Sequence, residues 1–274
     1  MTSRIAFIGG GNMGRALIGG LLKRGHPAAD LIVADPVDEI VTALQRDFGI
    51  TPAIDNQAAV ATSDIVLLAV KPQQMQLAAT TLAPALPQPR PLVISIAAGI
   101  TTQSLTSWLG AGLPLVRAMP NTPALVGRSA TGLFATPATS AASRAEAEAL
   151  LKTIGYVVWV DDEAQLDGVT ALSGSGPAYF FLFLECLERA AMQWGLPAAT
   201  ARALAIETAA GAAELARTST FEPAELRRQV TSKGGTTEQA LNVLMTGGFE
   251  RLVTEAVAAA ARRAGELSAE FGGR

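Results

Sequence analysis

Three short runs in this chain combine glycine with polar donors, and each suits the holding of a negative charge. The first is Gly9-Gly10-Gly11-Asn12-Met13-Gly14, a G-x-G-x-x-G. The apolar run Ile5-Ala6-Phe7-Ile8 precedes it, and Ala16, Leu17, Ile18, Leu21 and Leu22 follow at helical spacing. That is the strand–turn–helix that holds a dinucleotide. Gly9 permits the tight turn, Gly11 lets backbone approach a pyrophosphate, and Gly14 allows helix and strand to pack closely, with Asn12 and Met13 between them. The phosphates would rest on unpaired N–H groups at the positive end of the helix dipole. An ordinary glycine-rich turn is the competing reading, and the flanking elements favour the dinucleotide. The other two runs are Ser173-Gly174-Ser175-Gly176-Pro177 and Thr231-Ser232-Lys233-Gly234-Gly235-Thr236-Thr237. Both lead into helical patterns, where hydroxyls and glycines can cap the helix or hold an anion. Two such runs in one half exceed what capping requires, and we read them as a carboxylate site.

Other residues fall where a nucleotide would meet them. Asp35 ends an apolar run 21 residues after Gly14. An acid there favours the free ribose 2′-OH of NAD over a 2′-phosphate, although Asp35-Pro36 is equally a turn signal. Ala69-Val70-Lys71-Pro72 closes another apolar run, and ligands of open α/β sheets bind beyond the carboxyl ends of strands. Lys71 there is either a phosphate contact or a solvated surface lysine. Ala97-Ala98-Gly99 offers close backbone approach, and the two prolines of Met119-Pro120-Asn121-Thr122-Pro123-Ala124 should present Asn121 rigidly. The single cysteine, Cys186, lies in an apolar run and reads as a buried packing thiol. The single histidine, His26, reads as part of a surface turn. One Cys and one His make no zinc cluster, and no metal site is expected.

The elements that must position these residues follow from periodicity. Short apolar runs at 5–8, 31–34, 65–70, 92–96, 113–117 and 156–160 alternate with helical patterns at 13–24 and 37–48, which implies a parallel sheet covered on both faces. After Asp161-Asp162-Glu163 the pattern is helical, over 177–194, 197–217, 223–229, 236–246 and 249–270. The helix 177–194 is apolar all round, so it should be buried on all sides. The fold class is therefore an α/β, Rossmann-like domain over 1–161 and an all-α domain over 162–274 that dimerises. The 274 residues are 49% hydrophobic and only 16% charged, which also points to surface hidden in an oligomer. A net charge of −3 without a basic run gives no field for nucleic acid. No signal peptide or membrane span is evident, so a soluble cytoplasmic protein is expected.

Taken together, the runs I-G-G-G-N-M-G (8–14), A-V-K-P-Q (69–73), M-P-N-T-P-A (119–124), S-G-S-G-P-A-Y (173–179) and V-T-S-K-G-G-T-T (230–237) resemble the pyrroline-5-carboxylate reductase family over essentially the whole chain. The resemblance implies NAD(P)H held by the Gly9–Gly14 loop, with Asn56 near the adenosine ribose and Val70-Lys71-Pro72 lining the cofactor. It implies an intertwined dimer, often assembled into a decameric ring. It also implies a substrate carboxylate held by Ser232, Gly234, Gly235, Thr236 and Thr237, with Val230 beside the ring and Thr237 hydrogen-bonded to the ring nitrogen. Hydride would pass from the nicotinamide to C5 of the cyclic imine, giving L-proline, the last step of proline biosynthesis. Lys233 stands where many relatives have proline, and Asp35 departs from a family in which many members prefer NADPH. Two other readings compete: a reductase of another small imino or hydroxy acid, and a non-catalytic dinucleotide-binding regulator. Hydroxy-acid chemistry usually needs a lysine or histidine in the helical half, where Lys233 is the sole lysine after 152.

Overall fold

Strand β1 (Ile5–Ile8) is buried along its whole length, and its alternate side chains enter two different cores. Ile5 and Phe7 point to one face, where Leu17, Ile18 and Leu21 of helix α1 (Asn12–Lys23) and Leu44 of α2 (Asp38–Phe48) cover them. Ala6 and Ile8 point to the other. Val60 of α3 (Asn56–Val60), Met75 and Leu82 of α4 (Pro72–Leu82) and Leu105 of α5 (Thr102–Leu109) pack there. The two-residue period of a strand thus divides an unbroken apolar run between two helix layers. This computed structural model describes residues 3–272.

The sheet has eight strands. β2 (Leu31–Ala34), β3 (Thr51–Pro52), β4 (Ile65–Leu68), β5 (Leu92–Ser95), β6 (Leu115–Met119), β7 (Ser129–Ala135) and β8 (Gly155–Trp159) join β1 in the order β3-β2-β1-β4-β5-β6-β7-β8. β1 pairs in parallel with β2, Ile5 opposite Leu31, and with β4, Ile5 opposite Ile65. The chain therefore winds outward in both directions from β1, which makes its carboxyl end the switch point where a crevice opens.

The sheet is not parallel throughout. β7 runs antiparallel to β6, and β8 then runs parallel to β7. β7 is not evident from local pattern, because Ser, Ala and Gly in Ser129-Ala130-Thr131-Gly132 carry little β propensity. Pairing on both sides holds it, and the buried Ser129 and Thr131 hydroxyls lie 2.9 Å apart in a mutual hydrogen bond. The strand expected at 113–117 begins two residues later. α6 (Ala141–Leu151) connects β7 to β8, and α7 (Gln165–Val169) leads into a π-turn at Thr170–Gly174.

The chain divides into two compact units, one up to Ser175 together with the residues from Ala259 onward, and one from Gly176 to Ala258. The second unit contains α8 (Gly176–Gln193), α9 (Ala198–Thr218), α10 (Pro223–Gln229) and α11 (Thr236–Thr246). α12 (Phe249–Gly272) starts in it and belongs to the first unit from Ala259. Within the helical unit Ala201 and Ala205 of α9 are buried, and Arg202 pairs with Glu188 of α8. The large apolar side chains of α8 are not covered. Phe180, Phe181 and Leu182 are 68%, 66% and 61% exposed in the single chain, and Cys186 is exposed. Full burial of that helix and of Cys186, expected from sequence, is thus not a property of one chain. The few helices of this unit leave one face of a helix that is apolar all round uncovered.

Candidate active site

Three of the four glycines in the turn after β1 meet a steric demand within the chain, each a different one. Gly9 has φ +99°, its N–H donates to Ala34 O at 2.8 Å, and a Cβ there would stand 2.7 Å from the Ala69 carbonyl oxygen. Only glycine combines that dihedral with that approach. A Cβ on Gly14 would stand 2.8 Å from the Gly9 carbonyl oxygen, so α1 can close on the turn only without one. Gly10, not singled out from sequence, faces the core: its Cβ would meet Leu44 at 2.7 Å. Gly11 differs from all three. It is exposed, its φ of −62° suits any residue, and nothing lies within 4 Å of a Cβ built on it. Its missing side chain keeps open the space in front of the helix. Asn12 is exposed at the start of α1, and Met13 packs against the core. The residues present therefore fit a pyrophosphate laid across the first turn of α1, whose N-terminus carries no side-chain cap.

Beside this turn lies a cleft of about 470 Å³ lined by Gly9, Ala34, Asp35, Asn56, Val70 and Leu77 among others. Asp35 is fixed in it by two backbone donors, the Gly10 N–H to Oδ2 at 2.8 Å and the Val37 N–H to Oδ1 at 2.9 Å. Asn56 opens α3 behind Asp55, whose carboxylate caps the helix by accepting the Ala58 N–H at 2.7 Å. Ala69 and Val70 continue from β4 and are half-buried. Lys71 is exposed at the N-cap of α4, with Pro72 at its first turn. Ala97 is buried beyond β5, and the adjoining Gly99 packs against Leu267 and Phe271 of α12.

Asn121 does not project from its loop as expected. Its side chain is buried, its amide Nδ2 donates to Ser173 O at 2.8 Å, and its Oδ1 accepts the Ala130 N–H at 3.0 Å. It ties β7 to the π-turn, so its amide serves the fold at both ends. A buried ion pair joins residues far apart in the sequence. Arg117 in β6 meets Glu163 Oε1 at 2.9 Å, and the same carboxylate accepts the Thr102 N–H at 2.8 Å and the Thr102 hydroxyl at 2.5 Å. An arginine inside Leu115-Val116-Arg117-Ala118 was the available signal, because a charge in a central strand requires a partner. Nearby, partial burial pushes the Asp167 carboxyl up; Arg117 opposes the rise and Glu163 adds to it.

The helical unit contains the third run. Val230 ends α10 and is 62% exposed. The Thr231 hydroxyl turns back to Arg227 O at 2.6 Å. The loop then closes through the Gly235 N–H to Ser232 O at 3.0 Å and the Gly234 N–H to Glu238 Oε2 at 2.7 Å. A Cβ on Gly235 would stand 2.5 Å from the Ser232 hydroxyl oxygen, so a side chain there would displace that hydroxyl. The N-cap of α11 is Gly235, which has no side chain to cap with, and among the described residues no hydroxyl of the adjoining Ser232, Thr236 or Thr237 bonds to the helix start in its place. The hydroxyls are thus not spent on capping. The first-turn N–H groups have no intrahelical acceptor, and with those hydroxyls they can receive a carboxylate.

A family model described as pyrroline-5-carboxylate reductase dimerisation matches residues 163–267, and one described as NADP oxidoreductase, coenzyme F420-dependent, matches residues 4–99. The pyrroline-5-carboxylate reductase of Pseudomonas aeruginosa is 50% identical over 271 residues, covering 99% of each chain. A pyrroline-5-carboxylate reductase structure from Coxiella burnetii superposes with a TM-score of 0.94 at 42% identity, over 98% of this chain and 99% of that one. The Plasmodium falciparum pyrroline carboxylate reductase with NADP bound gives a TM-score of 0.86 at 26% identity, over 97% and 98%.

Proposed function

Because the chain belongs to the pyrroline-5-carboxylate reductase family, we propose how its residues divide the work of reducing 1-pyrroline-5-carboxylate to L-proline. When bound, NAD(P)H supplies hydride from C4 of its nicotinamide. The Gly9–Gly14 turn seats the pyrophosphate on the N–H groups of α1, and Asp35 and Asn56 flank the adenosine ribose. Ala69-Val70-Lys71-Pro72 and Ala97 line the cofactor, while Asn121 acts on that site only through the loops it holds.

Ser232, Gly234, Gly235, Thr236 and Thr237 clamp the substrate carboxylate, and Val230 packs beside the ring. The single observation that carries this assignment is the start of α11, ringed by hydroxyls and capped by none of them. The substrate explains why no strong acid or base stands among these residues. A cyclic imine protonated at nitrogen is already electrophilic, so orientation supplies most of the acceleration. Thr237 hydrogen-bonds the neutral imine nitrogen and passes it a proton from water, giving the iminium that accepts the hydride.

The matched dimerisation region and the uncovered face of α8 describe a chain that self-associates. Dimers joined in a decameric ring, in the cytoplasm, complete the reading; light scattering that returns a monomer would contradict the first part. Among the described residues no helix is long and apolar enough to cross a membrane. The reading is tested by following cofactor oxidation with 1-pyrroline-5-carboxylate and identifying the product. Turnover to proline is expected, and a folded protein that binds dinucleotide but leaves the imine unreduced would favour the regulator.

A further inference from the structure

We infer that the nucleotide cleft of this chain selects NADH over NADPH, with Asp35 as the determining residue and Asp55 as its support. The inference rests on the assignment of that cleft to the adenosine end of the cofactor. Asp35 reaches from the end of β2 back to the glycine turn and is held there by the Gly10 and Val37 N–H groups. Each carboxylate oxygen accepts one backbone donor and keeps a second lone pair, so ribose hydroxyls can donate to both. A 2′-phosphate offers oxygens without donors and brings about −1.5 to −2 charges at neutral pH.

Nothing in the cleft compensates such a charge. Among the described residues lining it there is no lysine or arginine, and Asp55 adds a second carboxylate. Pro36 and Val37 follow Asp35 where an NADP-binding chain can place an arginine. The arginines of α1 and α2 are engaged elsewhere: Arg15 and Arg46 both pair with Asp47, and Arg15 also lies over the Phe48 ring. Lys71 stands at the N-cap position of α4 with an exposed side chain that makes no cap, and it is not among the residues lining this adenosine cleft. Repulsion across a few ångströms at the effective dielectric of a partly open cleft amounts to roughly 10–100-fold in relative affinity.

The test is to titrate the full-length oligomer with NADH and with NADPH by nicotinamide fluorescence, without substrate. Turnover of 1-pyrroline-5-carboxylate is then measured with each cofactor. NADH should bind roughly 10–100-fold more tightly, and Asp35→Asn should remove most of that ratio by improving NADPH. Asp55→Ser, which keeps a capping oxygen, should narrow it by a smaller factor. Raising salt from about 0.05 to 0.5 M should also narrow the wild-type ratio, since screening weakens repulsion and leaves steric exclusion untouched. The salt series serves if Asp35→Asn fails to fold. Equal or tighter binding of NADPH by the wild type would overturn the inference while leaving the reductase reading intact. Selective binding without turnover would support it and remove the assigned substrate. A ratio unmoved by both substitutions and by salt would also overturn it.

Discussion

Replacing Gly11 by alanine separates cofactor binding from folding more cleanly than any other change in the glycine turn. The backbone at Gly11 has φ −62° and ψ −170°, which alanine adopts without strain, and the new methyl meets no atom within 4 Å. The folded protein should therefore hardly notice it. Alanine is a somewhat poorer N-cap than glycine, and the unfolded chain loses some freedom, so the two effects offset to within about 1 kcal/mol. The bound pyrophosphate would notice it, because that open space is where phosphate must approach the first N–H groups of α1. Losing one charge-assisted hydrogen bond costs about 1.5–3 kcal/mol, or roughly 10–150-fold in Kd. Nicotinamide fluorescence gives the affinity and a thermal melt gives the stability. Gly14→Ala is the control of opposite character: its methyl would stand 2.8 Å from Gly9 O, so stability should fall by about 1–3 kcal/mol. A Gly11→Ala protein with unchanged melting that binds NADH within about twofold of wild type would refute the placement of the pyrophosphate.

Other expectations follow from the same geometry. Thr237→Ala should lower kcat/KM by roughly 10–10³-fold if its hydroxyl assists the imine nitrogen, and unchanged steady-state kinetics would remove it from the mechanism. Ser232→Ala should raise KM for the imine more than it lowers kcat; an unaltered KM would withdraw the carboxylate contact. Asn121→Ala should destabilise by about 1–3 kcal/mol, since it orphans Ala130 N–H and Ser173 O. A large loss of NADH affinity from a fully stable Asn121→Ala would instead restore it as a direct cofactor ligand. Asp167 has a raised pKa in the folded state, so wild-type stability should fall as pH climbs from about 3.9, the ordinary carboxylate value, through that raised value. Asp167→Asn should remove this component, which melts of both proteins across acid and neutral pH would show.

Much of the first unit was legible because buried parallel strands are written as uninterrupted apolar runs. Ile5–Ile8, Leu31–Ala34, Ile65–Leu68 and Leu92–Ser95 form strands within the runs that were read. β7 was not, because Ser129 and Thr131 enter the core as a hydrogen-bonded pair and periodicity scores them as loop. Asn121 was misread for a related reason: a polar residue between prolines looks displayed, whereas its two backbone partners lie 9 and 52 residues away. The same holds for Glu163, the last of the Asp161-Asp162-Glu163 run at the expected domain boundary, which is the counter-ion of Arg117. Local pattern reports which face a side chain belongs to, but not a partner delivered by a distant loop. Cys186 and the phenylalanines of α8 mark the other limit, since they are exposed in the single chain. The start of α11 had two readings in sequence, cap or anion site, and the absence of a side-chain cap favours the second.

The central claim is that this chain delivers hydride to the C5 carbon of a cyclic imino acid. It is tested most directly by incubating the protein with 1-pyrroline-5-carboxylate and NADH stereospecifically deuterated at C4, then locating the label in the product. One of the two C4 diastereomers should yield proline carrying a single deuterium at C5, with the other yielding unlabelled proline. Consumption of cofactor without proline, or proline free of deuterium from both diastereomers, would contradict the account.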